Sequence, residues 1–420
     1  MKNSSEFTGG AQSLPRSAEE GATAGPPAIS GISCIHFLND LHPTFLPTLM
    51  PEIVKRLSLS LGEAGFASTL FGVMNLIFQP VAGALADRLG GSAFVIYSPL
   101  FTAAGAYLLP IAPTFGILLI FVSIMGIGTA SFHPQAHGLT GKFGGAGRLG
   151  LYIAIFSSAG TLGAALSPLY AVSLLRMAGP SLMPLALIPL FILIMLMKKI
   201  IAKEINIRNP KPKAPGRSES GTVKPREKFF SGMFRVLLIC MPLMLVSIIR
   251  DSSSQGIRVF LPLLVTDRGG SMEMGGIALF SFTIAGSIAN IFGGRLSDKF
   301  GKVRIITLML TLAPVFLIPG ILIKGMTSLV FFTLGGACIA ATNPITLAMA
   351  QEQIPESRST ASSLVMGVAW GIANIVAYPI GMLADRVGLT KTLIVVAISP
   401  LVVAVAFIVN NSSIWRRKKG

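Results

Sequence analysis

What most limits the possible folds of this chain is a comb of apolar runs, each close to the length of a bilayer crossing, repeated from near residue 29 to near residue 410. A run of about 20 apolar residues is stable in hydrocarbon as a helix, because a helix satisfies its own backbone N–H and C=O groups where water cannot. A water-soluble core has no room for so many runs of this kind. Apolar residues make up 52% of the 420 positions and only 12% are charged, about half the charged share of a soluble domain. The expected fold is an all-α membrane protein embedded in the lipid bilayer.

The runs fall into two sets of six, near 29–50, 63–85, 92–111, 115–137, 149–172 and 181–198, then near 234–265, 273–294, 303–323, 328–350, 359–382 and 391–410. Twelve transmembrane helices in two pseudo-symmetric six-helix bundles follow, over 29–198 and 234–410. Residues 1–28 read as a disordered cytoplasmic tail and not a signal peptide, since no basic stretch leads into a short apolar core. The segment 199–233, with Pro210, Pro212, Pro215 and Pro225, reads as a basic cytoplasmic linker, and 411–420 as a basic cytoplasmic tail.

The net charge of +17 has the same origin. About eleven of the 34 basic residues lie between Lys198 and Arg235, and Arg416, Arg417, Lys418 and Lys419 close the chain. With both termini cytoplasmic, the inner segments hold about 25 basic residues and the outer loops about seven, as positive-inside topology requires. No folded basic surface with interleaved aromatics points to nucleic acid. Cys34, Cys240 and Cys338 all lie inside apolar runs and form no disulfide framework.

The halves repeat in sequence. Gly83-Ala-Leu-Ala-Asp87-Arg88-Leu-Gly90 matches Gly294-Arg-Leu-Ser-Asp298-Lys299-Phe-Gly301 at an offset of 211, which also carries Asn39-Asp40 onto Arg250-Asp251. An offset of 210 carries His133-Pro134 onto Asn343-Pro344 and Arg148 onto Arg358. Internal repeats of this kind mark secondary transporters, whose cargo sites lie between the repeats near the bilayer midplane.

Two six-helix halves with a G-x-L-A-D-R-x-G string after the second crossing resemble the major facilitator superfamily over roughly residues 29–410. The first copy departs from the pattern in ending Gly91-Ser92; the second keeps a basic ending, Lys302-Val-Arg304. A narrower likeness is to the fosmidomycin-resistance branch. It rests on His36-Phe-Leu-Asn39-Asp40, Gln79-Pro80-Val-Ala-Gly83, Gly126-Ile-Gly128-Thr-Ala-Ser-Phe132-His133-Pro134, and Arg250 with Phe260-Leu-Pro262. The resemblance implies a drug:proton antiporter of the bacterial inner membrane that confers antibiotic resistance by efflux of small anionic or amphiphilic compounds. It also implies a cytoplasmic latch built from the two loop motifs.

Ionisable groups at membrane depth are costly and mark pathways. Asp40 lies near mid-depth of the first crossing with His36 on the same helix face, and His36, Asp40 and His133 are candidates for proton coupling. Arg250 and Asp251 hold the counterpart position in crossing 7. Arg250, Asn39, Asp251, Gln79 and Asn343 are candidates for cargo binding, since a guanidinium suits phosphonate or carboxylate. Arg250 either reads cargo or neutralises Asp251 or, across the cavity, Asp40. Adjacent helix positions point apart, which disfavours an Arg250–Asp251 pair. Arg258, nearer the outer end, is expected to snorkel to the interface.

His133 and His137 share a face but lack a third ligand, so no metal site and no cofactor is expected. Gly83, Asp87, Arg88, Asp298, Arg148 and Arg358 are candidates for a cytoplasmic conformational gate, each aspartate facing a helix N-terminus of the other half. A third look-alike, Gly381-Met-Leu-Ala-Asp385-Arg386-Val-Gly388, falls on the outer side, where this gate gives it no role. No H-E-x-x-H or G-x-S-x-G string suggests an enzyme, and no pore loop or charged ring suggests a channel. The expected partners are a small-molecule cargo and protons, handled by a monomer; a metabolite importer or facilitator is the alternative.

Overall fold

The computed structural model describes residues 26–89, 92–208, 226–354 and 363–414, and these are helical almost throughout. In chain order the helices are α1 (Pro26–Asp40), α2 (Phe45–Leu57), α3 (Leu61–Leu89), α4 (Ala93–Leu108), α5 (Phe115–Leu182), α6 (Leu187–Arg208) and α7 (Arg226–Asp267). They continue with α8 (Met272–Phe300), α9 (Lys302–Leu322), α10 (Met326–Ala340), α11 (Asn343–Gln353), α12 (Ala369–Ile375), α13 (Ala377–Val387) and α14 (Leu389–Ile414). A π-helical turn, Ser363–Val368, leads into α12.

Nine stretches among the described residues are long and apolar enough to cross a membrane. Three local features separate that number from the twelve expected. The first expected crossing is broken at 41–44, where Pro43 has no N–H to give, leaving α1 and α2 each shorter than the hydrocarbon is thick. The eleventh is divided among the π-helical turn, α12 and α13. The fifth and sixth run on as one apolar stretch, Leu151–Lys199.

Helix α5 is not a straight rod. His36 packs against His133 with ring centroids 5.4 Å apart and against Phe156 at 4.0 Å, yet a straight helix would hold those two residues about 35 Å apart. The chain therefore reverses between them, and the limbs on either side of the reversal pack on α1 as separate elements. Helices α6 and α7 extend to Arg208 and from Arg226, into the stretch expected to be linker; residues 209–225 lie outside the described part.

Side chains that would form a core in water lie on the outside here. On α6, Ile188, Phe191, Ile192 and Leu196 are about half exposed, at the 3–4 spacing of one helix face. That face suits lipid. Inside, the largest apolar cluster draws on both halves: Phe45, Leu49, Ile53 and Ala64 from the first, and Phe260, Leu264, Ala377 and Ile380 from the second. These side chains lie toward the end of the bundle remote from the termini. Toward the termini the cores are separate, with Ile32, Phe132 and Phe156 in one half and Cys240, Leu243 and Ile354 in the other. The halves are thus joined at one end and apart at the other, so the cavity between them opens on the side of the termini.

Candidate functional site

The site is built on the last turn of α1, just before the chain breaks at 41–44. His36 and Asp40 are one helical turn apart, and His36 Nε2 lies 3.1 Å from Asp40 Oδ2. The other ring nitrogen, Nδ1, is 2.8 Å from the Phe156 carbonyl oxygen. A carbonyl oxygen can only accept, so Nδ1 carries a hydrogen and donates it. Nε2 then faces a carboxylate oxygen at hydrogen-bond distance, which requires one proton between them: either the imidazole is doubly protonated or the carboxyl is neutral and donates. Without that proton two lone pairs would meet.

The second carboxylate oxygen has its own partners. Asn39 Nδ2 donates to Asp40 Oδ1 at 2.9 Å, and His133 Nε2 lies 3.6 Å from it. Thr102 Oγ1 stands 3.1 Å from Asn39 Oδ1, which fixes the amide orientation from α4. Asn39 has no exposed surface, so it aims Asp40 and does not line the cavity, contrary to the cargo role expected for it. Asp40 and His133 keep 19% and 22% of their side-chain surface exposed, enough for access from the cavity. Gly160 lets the second limb of α5 press against this group: a Cβ there would run into the His36 ring and stand 2.8 Å from Asp40 Oδ2.

His36, Asp40 and His133 each offer a ligand atom, all within 4.8 Å of one another. The third ligand missing from the His133–His137 pair is thus present, but the second imidazole is His36. Two imidazoles and a carboxylate are ligand types that a divalent cation takes. Such an ion would have to displace the proton shared by His36 and Asp40 and the Asn39 bond.

Across the cavity, the Arg250 guanidinium chelates its own neighbour. Nε and Nη2 donate to Asp251 Oδ1 and Oδ2 at 2.9 and 3.0 Å, and Nη1 donates to Thr346 Oγ1 at 2.9 Å. Of the two pairings weighed for Arg250, the disfavoured one is present, because a long arginine folds back along the helix surface although the Cβ vectors diverge. Arg250 is 3% exposed and its three donor nitrogens are engaged; it meets neither Asp40 nor open cavity. Arg258 stands about two turns further along α7. It is partly exposed between buried Ile257 and Val259, stands within electrostatic reach of Asp251, and makes no hydrogen bond or ion pair among the described residues.

Gln79 on α3 is exposed and Asn343, the first residue of α11, is partly exposed; neither side chain has a hydrogen-bond partner among the described residues. Gly83 faces Pro134 of its own half, where a Cβ would make a 3.4 Å contact. Asp298 is exposed near the end of α8. The side chains of Asp87, Arg88 and Arg148 and all of Arg358 lie outside the described part.

The family comparisons agree with this architecture. The model of the Major Facilitator Superfamily matches residues 32–378. The chain is similar to the fosmidomycin resistance protein of Escherichia coli (strain K12), with 25% identity covering 89% of this chain and 90% of that one. It is similar to the uncharacterized MFS-type transporter YfnC of Bacillus subtilis (strain 168), with 25% identity over 91% and 92%. Among solved structures, a bacterial homolog of the human lysosomal transporter Spinster, in an inward-facing and occupied conformation, superposes with a TM-score of 0.74 at 16% identity, over 94% of this chain and 99% of that one. A two-half helical bundle with a one-sided cavity and a match across most of its length, this chain belongs to the Major Facilitator Superfamily and is a multi-pass membrane transporter, not an enzyme.

Proposed function

We propose that the chain is a proton-coupled exporter of small anionic or amphiphilic compounds, fosmidomycin-type antibiotics among them. In this reading it crosses the bacterial inner membrane twelve times with both termini cytoplasmic, and works as a monomer by alternating access. The observation that carries the proposal is the 3.1 Å approach of His36 Nε2 to Asp40 Oδ2 while Nδ1 is held by the Phe156 carbonyl, an arrangement that suits a shared proton. Facing outward, the pair takes a proton from the outer medium. Facing the cytoplasm, it can lose that proton through His133, and the deprotonated pair then separates because its lone pairs repel. Proton loss is thereby tied to a movement of α1, the element that α5 grips at Gly160 and Phe156.

The cargo reading rests on Arg258. With Arg250 engaged by Asp251 and Thr346, we assign cargo contact to Arg258, whose donors have no partner among the described residues and whose guanidinium fork matches phosphonate or carboxylate. Gln79 and Asn343 supply neutral polar contacts. Gly83, Asp87, Arg88, Asp298, Arg148 and Arg358 are assigned to a cytoplasmic gate on the loop-motif repeat, and Asp298, near the end of α8, is exposed.

The test is efflux of fosmidomycin from cells or proteoliposomes carrying Asp40→Asn. Gradient-driven efflux should be lost while membrane insertion stays normal. Undiminished pH-driven efflux by that variant removes Asp40 from the mechanism, and cargo moving inward with the proton favours a metabolite importer.

A further inference from the structure

The third copy of the loop motif, Gly381 to Gly388, lies at the end of α13 remote from the termini. It faces the first turn of α3, which belongs to the other half. A helix starts with N–H groups that none of its own carbonyls can reach. In α3 the string Ser60-Leu-Gly-Glu63 satisfies one of them by a capping box: Ser60 Oγ accepts from Glu63 N at 3.1 Å, while the Glu63 carboxylate accepts from Ser60 N at 2.8 Å. The N–H groups of Leu61 and Gly62 remain. Asp385 takes both, Oδ1 from Leu61 and Oδ2 from Gly62, each at 2.8 Å. Its charge also meets the positive end of the helix dipole.

The rest of the motif serves this contact. Gly381 lets the α13 backbone approach the Leu61 carbonyl, where a Cβ would collide, and Gly388, at φ 92°, ends the helix and turns the chain into α14. Two turns further along α3, Thr69 Oγ1 accepts from Tyr378 N at 3.1 Å and stands 3.2 and 3.1 Å from the Asn374 and Ile375 carbonyls. That places a second cross-half tie at the junction of α12 and α13. Helix α3 and the α12–α13 pair therefore run antiparallel, one from each half. Each ends with an aspartate two residues before its last: Asp87 before Leu89, and Asp385 before Val387.

We propose that Asp385 is the outer catch of the transport cycle, engaged on the N-terminus of α3 when the cavity faces the cytoplasm. The inference rests on the orientation and alternating access proposed above, but on no particular cargo. Release exposes two N–H groups and one carboxylate to water, which can solvate all three, so the catch is reversible.

The experiment is a pulsed electron–electron distance measurement between spin labels on Lys55→Cys, in α2, and Lys391→Cys, in α14. Both positions are exposed at the outer end on opposite halves, and Cys34, Cys240 and Cys338 are replaced by alanine in the labelled chain. Asp385→Ala should raise the long-distance, outward-open population relative to the short one by on the order of tenfold. Asp385→Asn keeps the shape but loses the charge; it should shift the ratio the same way by less, and serves if the alanine variant fails to insert. A wild-type protein that exchanges between two distances, with a ratio unchanged in both variants, overturns the catch even if their melting temperatures fall. A wild-type protein held at one distance at every pH overturns alternating access itself, and the catch with it.

Discussion

The pairing of Arg250 with Asp251 makes a quantitative prediction that separates structural support from cargo binding. Both side chains are largely buried, at 4% and 15% exposure. Arg250→Ala leaves a carboxylate at membrane depth without its cation, and Asp251→Ala leaves a guanidinium held by Thr346 alone. Removing one member of a buried pair costs about 3–5 kcal/mol, mainly through the charge left behind. The lower value applies here, because the cavity hydrates part of Asp251. The double variant leaves no orphaned charge and should cost no more than either single, about 3 kcal/mol, so the pair should couple by about 3 kcal/mol, a factor of roughly 150.

The assay is equilibrium unfolding in mixed dodecylmaltoside and dodecyl sulfate micelles, followed by far-ultraviolet circular dichroism, on the four members of the cycle. Arg250→Lys completes the set. It keeps the charge, loses the two-pronged contact, and should depress efflux of anionic and neutral compounds alike. Additive single effects, or a loss under Arg250→Lys confined to anionic cargo, would refute the pairing as the main role of Arg250.

Two further predictions follow from the same geometry. Gly160→Ala should destabilise the protein by about 1–3 kcal/mol through overpacking and reduce gradient-driven efflux, because its methyl displaces the His36 ring from Asp40; parallel unfolding and efflux measurements check both. Arg258→Ala should raise the KM for an anionic compound such as fosmidomycin by on the order of tenfold or more, from the loss of charge-assisted hydrogen bonds, and leave that of a neutral compound unchanged in the same transport assay.

Hydropathy and the internal repeat were enough to recover the bundle, its two halves and the shared face of His36 and Asp40, because helix periodicity is a local property. Partnerships across helices were harder to read. His133 was grouped with His137 by spacing, but the reversal of α5 brings it instead to His36 and Asp40. Asn39 is polar at a cavity-facing depth, yet Thr102 from α4 turns it inward. Thr102 itself had no signal, since a threonine inside an apolar run is ordinary. The Arg250–Asp251 chelate ranked below an Arg250–Asp40 pair because a rule about Cβ directions does not bound the reach of a long side chain. Asp385 was visible as a motif without a role, and only the position of α3 supplies its partner.

In the proposed mechanism cargo and protons move in opposite directions through the Asp40 site. Inside-out membrane vesicles with an acidified lumen and a fluorescent pH probe test it directly. Addition of fosmidomycin should release lumenal protons and recover the probe signal in wild-type vesicles, with no recovery in Asp40→Asn vesicles of equal protein content. Recovery of the same size in both, or cargo accumulation in wild-type vesicles without proton movement, would contradict it.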